Sequence, residues 1–79
     1  MKIKVKFFAS CREIVGKGLV ELDVPAGETV SGLMNTVRQD FPSLSLTNIM
    51  VAVNQEFTGP GYALHEGDEV ALIPPVSGG

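Results

Sequence analysis

Cysteine, histidine and positive charge are all scarce in this 79-residue chain, and each shortage closes a class of function. The single cysteine, Cys11, excludes an intramolecular disulfide framework and any tetrathiolate zinc or iron–sulfur centre, which fits a reducing compartment. Apart from Arg12, no basic or histidine neighbour would hold it as a thiolate, so it reads as a packing or surface cysteine and not as a persulfide carrier. The lone histidine, His65, sits in an acidic turn without the co-ligands a metal requires. Glu66-Gly67-Asp68 is too short for a calcium loop and reads as a turn. Six Lys and Arg against nine Asp and Glu leave a formal charge of −3 and a pI of about 4.9. No positive field draws a phosphate backbone, and nucleic acid is not an expected partner. Long apolar runs are missing too. Residues 1–8 alternate lysine with apolar side chains, unlike a signal peptide, and no stretch is long enough for a membrane span, so the expected location is cytoplasmic. A Walker-type glycine loop is also lacking, so the chain is expected to bind no cofactor of its own.

What is present is an apolar, patterned sequence. At this length only about 60% of the unfolded chain's surface is buried on folding. Yet 44% of the residues are hydrophobic and the mean hydropathy is +0.23, which leaves apolar side chains for a partner surface. In residues 2–8, Ile3, Val5 and Phe7 face one way, and Lys2, Lys4, Lys6 and Phe8 the other, as in a strand. Ser10-Cys11-Arg12-Glu13 has the form of a capping box and predicts a short helix ended by Gly16. Residues 18–24 alternate as a second strand before the turn Pro25-Ala26-Gly27. Thr29 is placed to cap a helix whose Val30, Leu33, Met34, Val37 and Phe41 form one apolar stripe, read as core, with Pro42 ending it. Residues 49–54 and 69–74 are two further strands, the first with Ile49, Val51 and Val53 on one face and the second with Val70 and Leu72 inward. Gly59-Pro60-Gly61 and residues 64–68 are turns between them.

The order strand, short helix, strand, helix, strand, strand predicts a two-layer α+β domain, and one long helix over a sheet suggests the β-grasp roll. No repeat or linker divides it. Residues 1–76 are expected to form the domain and 77–79 an extended tail. Alternation puts Phe8, Leu19, Met50, Ala52, Ala71 and Ile73 on the solvent face of the sheet, rimmed by the lysines of the first strand with Glu21 and Asp23 as their cross-strand partners. Phe8, Met50 and Ile73 are the candidate partner-binding anchors.

The last residues carry the chemistry. Gly78-Gly79 is the thinnest backbone a polypeptide can present, and it follows a stiff Pro74-Pro75 brace and Val76-Ser77. The reactive group at such a tip is the α-carboxylate of Gly79, which becomes electrophilic when an adenylate supplies a leaving group. The tail reads as cargo for another enzyme.

Several segments resemble one family. They are Val51-Ala52-Val53-Asn54, residues 64–73, and Pro74-Pro75-Val76-Ser77-Gly78-Gly79, together with Phe7-Phe8-Ala9, Arg12-Glu13, Gly16 and Thr29-Val30. Over essentially the whole length the chain resembles the small, sulfur-carrying subunits of molybdopterin synthase, ubiquitin-like β-grasp proteins. The resemblance implies that a ubiquitin-activating-type enzyme adenylates Gly79 with ATP and that a sulfur donor protein then converts the adenylate to a thiocarboxylate. It also implies that the tail, Pro75 to Gly79, enters the large synthase subunit of a heterotetramer and delivers sulfur to a cyclic pyranopterin monophosphate. ATP would be used by the activating partner. Arg12 matches an arginine of the family's motif, where it steadies the start of the tail or contacts a partner; an ion pair with Glu13 or another acid is the alternative. Competing readings are a thiazole-synthesis sulfur carrier, a ubiquitin-like protein modifier, and an interaction domain without a part in catalysis.

Overall fold

A computed structural model describes residues 1–75 of the chain. Five strands, β1 (Lys2–Phe7), β2 (Leu19–Asp23), β3 (Met50–Val53), β4 (Glu56–Phe57) and β5 (Glu69–Ile73), form one mixed sheet, with helices α1 (Ala9–Val15) and α2 (Val30–Asp40) in the connections. The strand order is β2-β1-β5-β3-β4. β1 and β5 lie parallel at the centre, and the remaining neighbours are antiparallel. This is the ubiquitin-like β-grasp roll that the sequence predicts, with one strand more than the alternation reveals.

Period-two alternation builds the core. Ile3, Val5 and Phe7 of β1, and Val70 and Leu72 of β5, are buried against Val30, Leu33, Met34 and Val37 of α2. Phe41, just past the helix, packs edge-on against Phe7 with ring centroids 5.5 Å apart. The predicted cap of α2 is present: the Thr29 hydroxyl accepts from the Gly32 amide at 3.2 Å. The preceding orphan amides are met from the loop before β5, Val30 N–H donating to the Tyr62 carbonyl and Ser31 N–H to that of Pro60. The α2 N-terminus is thereby fastened to the far end of the chain.

The capping box expected at Ser10 does not form. α1 starts two residues earlier, with Phe8 at the N-cap in extended conformation and no side chain capping the helix. The bend is made by Ala9, whose φ of 48° lies in the left-handed region that an L-residue occupies at a cost of about 1–3 kcal/mol. Phe8 therefore stands outside β1, although its amide still donates to the Leu72 carbonyl at 3.3 Å. Gly16 ends the helix as predicted, at φ 82° with its amide on the Arg12 carbonyl.

β4 was hidden because two residues are too few to show alternation. Asn54 and Gln55 both have positive φ, 51° and 71°, in a two-residue loop between Val53 and its partner Glu56, a primed hairpin turn matched to the sheet's twist. The predicted turn before β5 is present, and Asp68, read as a turn residue, is buried at its centre. Its carboxylate accepts from the Asn54 side-chain amide at 2.9 Å and from the His65 backbone amide at 2.8 Å. The Asn54 carbonyl oxygen in turn accepts from the Glu69 amide at 3.0 Å. This network ties the β3–β4 hairpin to the start of β5.

Candidate functional site: the outer sheet face and the end of β5

The two sides of the sheet differ in what covers them. Residues opposite the helices fall into cross-strand rows fixed by register. Lys6 of β1 lies between Leu19 of β2 and Ala71 of β5, Ala71 opposes Ala52 of β3, and Ala52 opposes Phe57 of β4. In the next row, Ile73 opposes Met50, and Phe8 continues β1 beside them. Phe8, Met50 and Phe57 are 44%, 50% and 66% exposed, and Ile73 is half-buried. Together they form an apolar patch at the end of the sheet where β5 finishes.

The three sheet anchors read from the sequence are thus brought together, and a fourth, Phe57, joins them. Phe57 went unread because its outward direction depends on β4. Two other expectations change. Ala52 points outward as alternation requires but is 6% exposed: its side chain is a single methyl, flanked across the strands by Ala71 and the large Phe57 ring. Leu19 is exposed, but the Lys6 position separates it from the apolar cluster.

The charged rim also differs in part from the expected pairing. Lys2 meets Asp23 at 3.3 Å and Glu21 at 3.7 Å, as predicted; the hydrogen bond to Asp23 is the first cause of the upward shift in its pKa, followed by the charges of Asp23 and Glu21. Lys6 instead meets Glu69 of β5 at 3.1 Å, because the parallel β1–β5 pairing, invisible to local alternation, sets that acid opposite Lys4 and diagonal to Lys6. The Lys2 pairs are exposed and contribute little to stability, while Lys6 and Glu69 are both half-buried.

An open groove continues the patch past the end of β5. Phe8, Ala9, Ser10 and Glu13 line it on the α1 side, and Ile73, Pro74 and Pro75 on the other. Pro74 is buried and Pro75 exposed, so the described chain ends on the rim of the groove. Val76, Ser77, Gly78 and Gly79, the rest of the candidate tail, lie outside the described residues, as does the proposed domain limit at residue 76.

Arg12 does not join this groove. It lines an adjoining hollow with Lys17, Gly16 and Gly18, which shares Ala9 and Glu13 with the groove, and its side chain lies over Gly18 so closely that a Cβ there would come within 3.4 Å of Nε. Cys11 is 1% exposed, and burial pushes its thiol pKa up, which favours the packing alternative and disfavours the thiolate a sulfur carrier needs. His65 is a solvated turn residue, its Nδ1 3.9 Å from the Asp68 carboxylate. An apolar face with a charged rim, set beside the end of a central strand, is suited to binding and positioning.

Fold and face together define a ubiquitin-like β-grasp domain with an exposed apolar patch beside the end of its central strand. Residues 5–79 match the model of the ThiS family, and the chain belongs to that family. It is 41% identical to the molybdopterin synthase sulfur carrier subunit of Escherichia coli, across 98% of this chain and 99% of that one. It is 36% identical to the protein of the same name in Arabidopsis thaliana, across 100% and 84%. Among solved structures, the crystal structure of SAMP1 from Haloferax volcanii superposes with a TM-score of 0.89 at 31% identity, covering both chains completely.

Proposed function

We propose that this chain is the sulfur carrier subunit of a molybdopterin synthase. The observation that carries the reading is the end-to-end match to relatives of that name, in which the Gly78-Gly79 terminus follows a β5 that finishes beside an exposed apolar face. In this reading the Gly79 carboxylate attacks the α-phosphorus of ATP on a ubiquitin-activating-type enzyme and releases pyrophosphate. The persulfide of a sulfur donor protein displaces AMP to give an acyl disulfide, and a second thiol attacks the donor's sulfur in that bond, forming a disulfide with the donor and releasing the chain as a thiocarboxylate. The large synthase subunit then receives the tail, and the thiocarboxylate sulfur attacks a cyclic pyranopterin monophosphate to build the dithiolene. Sulfur is the softer and better nucleophile, and the tail supplies its position. Proton donors and acceptors belong to the partners, as does the ATP site. Cytoplasmic location is part of the same proposal; among the described residues no helix is long and apolar enough to cross a membrane.

The test is reconstitution with an adenylating enzyme, a sulfur donor, the large subunit and the pyranopterin precursor. The chain should gain sulfur at its C-terminus by mass spectrometry and yield dithiolene product, and deletion of Gly79 should abolish both while leaving the fold intact. A chain that is never adenylated, or product formed equally by the deletion variant, overturns the reading. A second reading, conjugation to lysines of other proteins, is favoured by the likeness to SAMP1, which belongs to the proteins titled small archaeal modifier protein. Isopeptide-linked Gly-Gly remnants on host lysines, with no thiocarboxylate formed, would decide for it.

A further inference from the structure

The chain holds four sulfur atoms, in Met1, Cys11, Met34 and Met50, and the fold exposes them unequally. Cys11 is 1% exposed and Met34 9%. Both belong to the packed core, and Met1 is half-buried against it, with its ammonium donating to the Val24 carbonyl at 2.7 Å. Burial also raises the pKa of the Cys11 thiol, which disfavours the reactive thiolate. Met50 is different. It opens β3, half of its surface is open to solvent, and its cross-strand partner on the outer face is Ile73. A small oxidant reaches this thioether without any opening of the fold, whereas it reaches Met34 only when α2 separates from the sheet.

We propose that Met50 is a reversible oxidation site, and that its sulfoxide disables the outer sheet face for docking until a thiol reductant restores the thioether. The site stands on exposure and position within this chain; the effect on docking rests on the carrier reading above. A peroxide is the class of oxidant. The thioether sulfur attacks one peroxide oxygen, and an S–O bond forms as the O–O bond breaks. The proton on the transferred oxygen passes to the departing hydroxide, which leaves as water. Sulfur is oxidised by two electrons and the peroxide is reduced by two. In the return step two thiols become a disulfide and the sulfoxide oxygen leaves as water. The consequence for binding follows from polarity. The sulfoxide oxygen is a hydrogen-bond acceptor set among Ile73, Phe8 and Phe57, whose side chains have no N–H or O–H to donate. A partner that seats on this face strips water from the acceptor without replacing it. The fold is spared, because Met50 points away from the core.

Full-length carrier, wild type and Met50→Leu, is treated with graded hydrogen peroxide and freed of oxidant. It is then divided between peptide mapping by mass spectrometry, thermal melting and calorimetric titration with untreated large subunit. The Met50 peptide should gain one oxygen at doses that leave Met34 and Cys11 unmodified, with Tm unchanged. Oxidised wild type should bind the large subunit at least about tenfold more weakly than the same protein before treatment. Binding should recover after incubation with methionine sulfoxide reductases for both epimers and a dithiol. Met50→Leu is read against itself: whatever affinity it starts from, peroxide should leave that affinity unchanged. Oxygen arriving at Met1, Met34 or Cys11 as readily as at Met50 overturns the site. Equal affinities of oxidised and reduced wild type overturn the effect on docking, as does a peroxide-dependent loss in Met50→Leu. A reduced wild-type chain that does not bind the large subunit is a different result: it removes the carrier reading, and the mapping still decides the oxidation site.

Discussion

Asp68 shows how one side chain can hold several segments. Its carboxylate joins the Asn54 side chain to the His65 backbone, while its own carbonyl accepts from Lys4 of β1 at 3.0 Å. Removing the carboxylate leaves the Asn54 amide without that acceptor and frees a hairpin whose two central residues already sit at positive φ. Asp68→Ala should therefore cost about 2 kcal/mol and lower Tm by roughly 10 °C for a domain of this size. The outward Phe8 and Phe57 substitutions should have little effect on Tm. Thermal melts decide it: an unchanged Tm in Asp68→Ala would mean that the backbone pairing holds the hairpin by itself.

At the scale of elements, β5 connects fold and function. It is paired on both sides, in parallel with β1 and antiparallel with β3, and Val70 and Leu72 are fully buried. Such a strand gives the following residues a rigid base, and Pro74 and Pro75 extend that stiffness by fixing φ. The two glycines that follow have no Cβ, so their substitution tests the tail separately from the surface. Gly78→Val or Gly79→Val should reduce sulfur transfer far more than affinity for the large subunit, because a β-branched side chain thickens and stiffens the segment that, in the proposed transfer, enters that subunit. Single-turnover transfer set against calorimetric binding separates the two effects. Equal losses in both would make the tail itself the main source of affinity.

For the whole molecule, the described residues offer an apolar face beside the end of β5, the strand that precedes the glycines in the sequence. In the proposed cycle the carrier is loaded by one enzyme and unloaded by another, and both would meet the face beside the end of β5. The two complexes are then mutually exclusive, and excess large subunit should compete the carrier off the adenylating enzyme. Phe8→Ser and Phe57→Ser should each weaken both complexes by about 2 kcal/mol, the usual effect of truncating a central aromatic anchor, which is roughly thirtyfold in Kd. Competition by fluorescence anisotropy tests exclusivity, and paired titrations test the anchors. A ternary complex, or normal binding of both partners by both variants, would show that the face is not shared.

Alternation along β1, β3 and β5, the Thr29 cap, the apolar stripe of α2 and the glycine terminus were legible in the sequence because each is a local property, set by residues within a few positions of one another. They were enough to predict the β-grasp roll and the outward direction of Phe8, Met50 and Ile73. Local reasoning failed where a residue's surroundings come from distant segments. The β3–β4 hairpin turned Phe57 onto the outer face and shielded Ala52. The parallel pairing of β1 with β5 gave Lys6 its partner in Glu69. A left-handed Ala9 displaced the expected cap at Ser10, and the packing of three segments around Asp68 made a turn residue into a buried anchor. Strand order and register decide which side chains meet across a sheet; neither is encoded in any short window of sequence, so only the tertiary structure could assemble the patch and its groove.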